Sequence, residues 1–272
     1  MHKSQLIAKL AEPLAVGPAL LPNRVLLAPM SGVSDRPFRE IAAAFGAGAV
    51  VCEMVASERL AEGNAEACTR AERAGSGPHV VQLAGREARW IAEGARAATD
   101  CGADIIDINM GCPARKVTTG YSGSALMRDL DHALRLIEAT VGATPLPVTL
   151  KMRLGWDDST INAPDLARRA EETGVRLITV HGRTRCQFYS GAADWAAIGA
   201  VKQVVKIPVI ANGDLTSFSD VGLILDLSGA DGVMVGRGAC GRPWLPGHMA
   251  MHAASGETPA PQWIFVGEPS WK

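Results

Sequence analysis

The sequence predicts an α/β fold of the (β/α)8 TIM-barrel type, and three observations predict it. Eight short runs rich in β-branched residues recur along the chain, alanine-rich helical stretches separate them, and polar side chains recur at the carboxyl ends of the runs. Parallel strands buried on both faces read as continuous apolar runs, and eight such units fit the roughly 250 residues that a closed barrel uses.

Taken in order, the segment VGPALLPNR (16–24), punctuated by Gly and Pro, predicts a small hairpin closing the bottom of the barrel. Strand-like runs follow at 25–30 (VLLAPM), 49–54 (AVVCEM), 79–84 (HVVQLA) and 104–111 (DIIDINMG). Four more lie at 147–153 (PVTLKMR), 177–184 (LITVHGRT), 207–214 (IPVIANGD) and 232–237 (GVMVGR). Each of the first seven precedes a stretch able to form a helix, as in ARWIAEGARAATDCG (88–102) and APDLARRAEETG (163–174). The expected organisation is one catalytic barrel over 1–245 and a short appendage over 246–272.

With 272 residues, 47% of them hydrophobic, the chain has material for one large core. Its net charge of −1 excludes a protein that is basic all over, so nucleic-acid binding would have to come from a local patch of Lys and Arg. Six cysteines show no CxxC pair and no zinc-ligand spacing, which reads as reduced thiols rather than a disulfide framework. Cys52, Cys101 and Cys240 are expected to be buried and inert. The apolar stretches are too short for a membrane span, so a soluble, cytoplasmic protein is expected. His248 and His252 have helical spacing, but two histidines without further ligands are expected to be exposed, and no metal is expected.

Side chains alternate along a strand, which puts Gln82, Asn109, Lys151, His181 and Asn212 near the carboxyl ends of five strands, in one polar layer. Burying such groups unpartnered costs on the order of 1–3 kcal/mol each, so a shared polar ligand at the top of the barrel is the economical reading. The last two strands end in Asn212-Gly213-Asp214 and Gly236-Arg237-Gly238, and the loops after strands seven and eight of such barrels frequently bind phosphate. A phosphorylated cofactor is implied. Lys151 suits a flavin, whose reduced ring gains negative charge; a Schiff-base lysine or a buried ion pair with Asp107 or Glu53 are the alternatives. Cys112 stands just past a strand end between Gly111 and Pro113, facing the same region. An ordinary thiol, with a pKa of about 8.5, is largely protonated at neutral pH and suits proton donation to carbon.

The stretches APMSGVSDRPFR (28–39), DINMGCPARKVTTGYSGSALM (107–127), VTLKMRLGW (148–156), VHGRTRCQFYSGAADW (180–195), VIANGD (209–214) and VMVGRGACGRPW (233–244) resemble the tRNA-dihydrouridine synthases, in particular their bacterial DusB branch. The resemblance runs from about residue 15 to about residue 258. It implies FMN as cofactor, NADPH or NADH as reductant, tRNA as partner, and reduction of a flipped-out D-loop uridine to 5,6-dihydrouridine with Cys112 as proton donor. It places flavin contacts on Ala28, Pro29, Met30, Gln82, Lys151, His181, Asn212, Gly213, Asp214, Gly236 and Arg237, and puts Asn109 at the uracil or the flavin edge.

Arg36, Arg39, Arg115, Lys116, Arg153, Arg183, Arg185 and Arg242 follow strands on the expected active face, where tRNA phosphates would approach. Of these, Arg115, Lys116, Arg153 and Arg183 are the expected substrate contacts, with Asn109. The family usually carries a C-terminal helical domain, yet 35 residues follow Arg237 here, and the tail QWIFVGEPSWK (262–272) lacks helical periodicity. A largely missing C-terminal domain, truncated or frameshifted, is expected. The competing readings are a dihydroorotate- or dihydropyrimidine-dehydrogenase-like reductase of free pyrimidines, and a non-catalytic RNA-binding or regulatory barrel. Oligomeric state and the choice of tRNA uridine are not legible in the sequence.

Overall fold

The structure, a computed structural model, describes residues 3–259. Eight parallel strands close into a barrel: β1 (Val25–Leu27), β2 (Ala49–Val51), β3 (His79–Ala84), β4 (Ile105–Met110), β5 (Val148–Arg153), β6 (Leu177–His181), β7 (Val209–Asn212) and β8 (Gly232–Val235). Each strand pairs with its sequence neighbours, β8 with β1 through Val235↔Leu27, and β2 with β3 through Val50↔His79, so the ring has no open edge.

The period of two sorts the strand residues into two cores. Leu27, Val50, Val81, Ile106, Leu150, Val180 and Ala211 point outward to the helices. Leu26, Val51, Val80, Ile105, Leu177, Ile210 and Met234 point into the lower barrel, and a hairpin (Leu14–Val16, Ala19–Leu21), set two to three residues earlier than the expected 16–24, plugs the bottom with Leu14, Val16 and Leu21. One level higher the interior turns polar with Asp107, Thr149 and Thr179, all nearly inaccessible.

Helices α1 (Arg36–Ala44), α2 (Ala88–Asp100), α3 (Leu130–Ala143), α4 (Ala163–Thr173), α5 (Trp195–Val204), α6 (Phe218–Ser228) and α7 (Leu245–Ser255) surround the ring, with shorter turns at Ser57–Ala61 and Ala65–Ala71 after β2. Their starts are chemically marked. Asp35, Asp129 and Asp194 accept from the first-turn amides of α1, α3 and α5, and Ser217 with Asp220 forms a capping box on α6. Helix α7 packs Leu245, Met249, Ala250 and Ala253 into the outer core. Gly247 lies so close to the Phe45 carbonyl that a Cβ would collide with it.

The expected strands overrun the observed ones at their carboxyl ends: Ala28–Met30, Gly182–Thr184, Gly213–Asp214 and Gly236 are loops, and Arg237 opens a 3-10 turn (Arg237–Ala239). His248 also departs from expectation, since it is buried with its ring edge-on to Phe45 at 5.6 Å. Of the cysteines expected to be inert, Cys52 is buried, but Cys101 and Cys240 are exposed because each follows the end of a helix or turn. No described helix is long and apolar enough to cross a membrane. The tail 262–272 lies outside the described residues.

Candidate active site

The carboxyl ends of the strands open into a cleft of about 1110 Å³. Gln82, Asn109, Lys151, His181 and Asn212 all line it, as do Cys112, Ala28, Pro29 and Met30. Gly213, Asp214, Gly236 and Arg237, from the ends of β7 and β8, line it too. One cavity therefore collects the polar layer, the glycine turns and the cysteine that the sequence placed on separate strands.

Lys151 reaches Asn212, whose Oδ1 accepts from Nζ at 3.0 Å, while Asn212 Nδ2 donates to the Met234 carbonyl at 2.9 Å. The ion-pair alternatives are not what is found: the Asp107 carboxylate binds Gln82 and Thr149, and that of Glu53 accepts from the Gly32 amide. Burial first, then Arg153, pushes the Lys151 pKa from 10.5 down to about 8, against the pull of Asp107. Because the folded value lies below the unfolded one, the ammonium opposes folding fully below about pH 8, and the penalty vanishes as pH rises towards 10.5. In ligand-free protein, the stability of the parent relative to Lys151→Met will therefore rise by roughly 3 kcal/mol from neutral pH to about 10.5. Urea unfolding across that range checks this, and a flat difference would rule out the strained ammonium.

His181 is held neutral, its pKa driven far down by burial and by Lys151, Arg153, Arg183 and Arg237. Arg183 Nη1 donates to its Nε2 at 3.4 Å, which leaves the Nδ1–H tautomer. The Cys112 loop is fixed from several sides. Arg153 Nε donates to the Gly111 carbonyl at 2.8 Å, and Ser124 Oγ to the Cys112 carbonyl at 2.8 Å.

Two expected substrate contacts take another role. Arg153 and Arg183, each 1% exposed, do not stand on a basic rim. Arg153 bridges the Cys112 loop to the Thr184 and Phe188 carbonyls, and Arg183 binds Asp214 through both nitrogens at 2.8 and 2.6 Å plus the Ser190 carbonyl. Burying a guanidinium requires acceptors all round it, and these loops supply them. Arg39 is likewise buried on the Ser34, Glu72 and Arg70 carbonyls, and Arg36 pairs with Glu40 and Glu72. Arg115 and Lys116 remain exposed beside Cys112, and Arg185 and Arg128 both lie over the Trp156 ring, at 4.8 and 4.9 Å. Two residues missed in the sequence guard the mouth: Phe188 and Tyr189, ring edge to ring face at 4.8 Å, with Arg237 over Tyr189 at 4.6 Å. Their position after His181-Gly-Arg was the available signal.

The dihydrouridine synthase (Dus) family model matches residues 26–268. The chain belongs to the dihydrouridine synthase family. A probable tRNA-dihydrouridine synthase of Rhizobium leguminosarum bv. phaseoli is 66% identical over 228 residues, covering 84% of this chain and 72% of the relative. The tRNA-dihydrouridine synthase B of Xanthomonas axonopodis pv. citri is 46% identical over 253 residues, 92% of this chain and 76% of that one. Among solved structures, morphinone reductase in complex with tetrahydroNAD superposes with a TM-score of 0.62 at 18% identity, covering 90% of this chain and 91% of that one. An old yellow enzyme homologue from Zymomonas mobilis gives 0.65 at 16%, covering 87% and 91%. At that identity the likeness extends to the barrel alone, and family membership rests on the sequence relatives. In this family member the NMGCP loop is the segment that carries Cys112 into the cleft.

Among the described residues, no group of three or more His, Cys, Asp or Glu is placed to hold a metal. A flavin phosphate, by contrast, fits the β7–β8 wall. A Cβ at Gly236 would stand in the cleft with only the Ala28 Cβ near it, at 3.7 Å, so the missing side chain keeps a cradle open beside the Arg237 guanidinium.

Proposed function

We infer that this chain reduces uridine in tRNA to 5,6-dihydrouridine, with FMN as cofactor, NADPH or NADH as reductant and Cys112 as proton donor, in the cytoplasm. The observation that carries this reading is the convergence of Cys112, the Lys151–Asn212 pair and the Gly236 cradle in one cleft. When bound, FMN supplies the two-electron reduction of the uracil C5–C6 double bond.

The chain's own residues do the rest. Ala28, Pro29, Met30, Gln82, His181 and Asn212 would hold the ring, and Gly213, Gly236 and Arg237 the phosphate, while Asp214 organises that wall through Arg183. The Lys151 ammonium counters negative charge developing on its neighbour, and its depressed pKa means that such a partner restores the proton it loses near pH 8. Cys112 gives its proton to C5 as C6 is reduced, with Asn109 and the Phe188–Tyr189 pair at the uracil. The uridine must leave its stack to reach this depth. Arg115, Lys116 and Arg185 meet the RNA phosphates at the rim.

Incubating the purified protein with unmodified tRNA and NADPH, and separately with free uracil, tests the reading. Dihydrouridine should form in tRNA alone. Neutralising Arg115 and Lys116 together should reduce the salt slope of tRNA binding by about 1–2. Activity on free uracil alone would favour a free-pyrimidine reductase instead.

A further inference from the structure

The barrel interior beneath the cleft contains a run of hydrogen bonds that the chemistry above does not use. Thr149 Oγ1 meets Asp107 Oδ1 at 2.6 Å, and Gln82 Nε2 donates to Asp107 Oδ2 at 2.7 Å. Gln82 Oε1 then accepts from Asn109 Nδ2 at 2.8 Å. Asn109 Oδ1 in turn accepts the backbone amides of Cys112 at 2.9 Å and Gly111 at 3.2 Å. All four side chains are buried, Asp107 at 4% exposure and Gln82 at 0%.

The geometry points to Asp107 as a positioning residue that sets the direction of this chain and, through Gln82 and Asn109, holds the loop that presents the Cys112 thiol. An amide side chain is nearly the same shape either way round, so Gln82 and Asn109 alone allow two orientations. Burial raises the Asp107 pKa while the Thr149 hydroxyl, the Gln82 amide and Lys151 pull it down; in its ionised form the carboxylate removes one orientation, because it only accepts: it takes the Gln82 NH₂ and rejects the Gln82 oxygen. With Gln82 fixed, Asn109 must turn its NH₂ down and its oxygen up, towards the two loop amides. Reversing the chain would set the Asn109 NH₂ against two N–H donors and an oxygen against a carboxylate, in a buried site where both are costly. Arg153 grips the Gly111 carbonyl from the other side, so the peptide before Cys112 is held at both its ends. The carboxylate's two oxygens go to Gln82 and Thr149 while Lys151 binds Asn212, so this role is separate from a direct ion pair.

The consequence for dihydrouridine formation rests on the proposed function; the consequence for the loop does not. Hydrogen–deuterium exchange of the whole protein, followed in the segment 109–117, reads the loop directly. Asp107→Leu, which ends the chain, should speed exchange of the Gly111 and Cys112 amides by about ten-fold or more, with exchange in β7 and β8 unchanged. Asp107→Asn, which keeps the shape but leaves only the loop amides to favour the original direction, should give a smaller, equally local increase. On tRNA, kcat should fall in the same order with KM and retention of bound flavin unchanged. Unaltered exchange in the segment, or an increase matched across the barrel, would overturn the proposal, and if Asp107→Leu does not fold, Asp107→Asn alone decides by the same criterion. Local loosening with normal turnover would overturn the positioning role. Local loosening in a protein whose parent form does not act on tRNA would instead remove the functional reading and leave the hydrogen-bonded chain standing.

Discussion

Replacing Cys112 with alanine will lower dihydrouridine formation on tRNA by about 10²–10⁴-fold, the usual range for loss of a positioned general acid. Three of the other titratable groups in the cleft are committed elsewhere. Among the cleft-lining residues, Lys151 is fixed on Asn212, His181 is held neutral by four neighbouring cations and burial, and Arg153 is locked onto three carbonyls. Binding should be nearly unaffected, since the thiol is small and the loop is held by backbone contacts from Asn109, Arg153 and Ser124. NADPH-driven bleaching of the bound flavin should proceed at the parent rate, and single-turnover conversion of tRNA should stall. Cys112→Ala turning over within a few-fold of the parent would remove the proton-donor role. Cys240 also lines the cleft, so Cys240→Ala is the control, and it should leave turnover intact.

The second large effect concerns stability. Arg183→Met should destabilise the fold by about 1–3 kcal/mol, the cost of leaving the half-buried Asp214 carboxylate and two loop carbonyls without their buried donor. Arg183 satisfies both Asp214 oxygens and the Ser190 and Gly191 carbonyls from a side chain 2% exposed. Burial by itself would raise the Asp214 carboxyl, but Arg183, the Ala193 amide and Arg237 hold it below its ordinary pKa. A depressed carboxyl stabilises the fold above the unfolded pKa and loses that contribution as pH falls through the folded value, so the parent and the variant should converge in acid. Denaturant midpoints at neutral pH and at about pH 3 measure both statements. A loss under 1 kcal/mol at neutral pH would mean that water or Arg237 replaces Arg183.

Several features were legible because they follow from local rules. Runs such as HVVQLA and VTLKMR could only be strands buried on both faces, and alternation then placed Gln82 and Lys151 inside the ring at its upper end. The hairpin at 14–21 was announced by Gly17 and Pro18, and Gly17 has the positive φ of 59° that such a turn needs. Cys112 was placed by its distance from the end of β4.

What the sequence determined by itself is the ring of strands, the height of the polar layer and the identity of the groups in the cleft, because each depends on periods of two and on residues close in the chain. The tertiary structure decided which charges face water. Arg153, Arg183 and Arg39 read as rim cations in the sequence, but they are buried because carbonyls from distant turns converge on them; Phe188, which caps Arg153, lies 35 residues away. The same holds for Asp107, whose partners Gln82 and Thr149 are 25 and 42 residues distant and meet only when neighbouring strands align. A sequence reports that a group is charged, whereas its solvation and its hydrogen-bond partners exist only after the chain has closed.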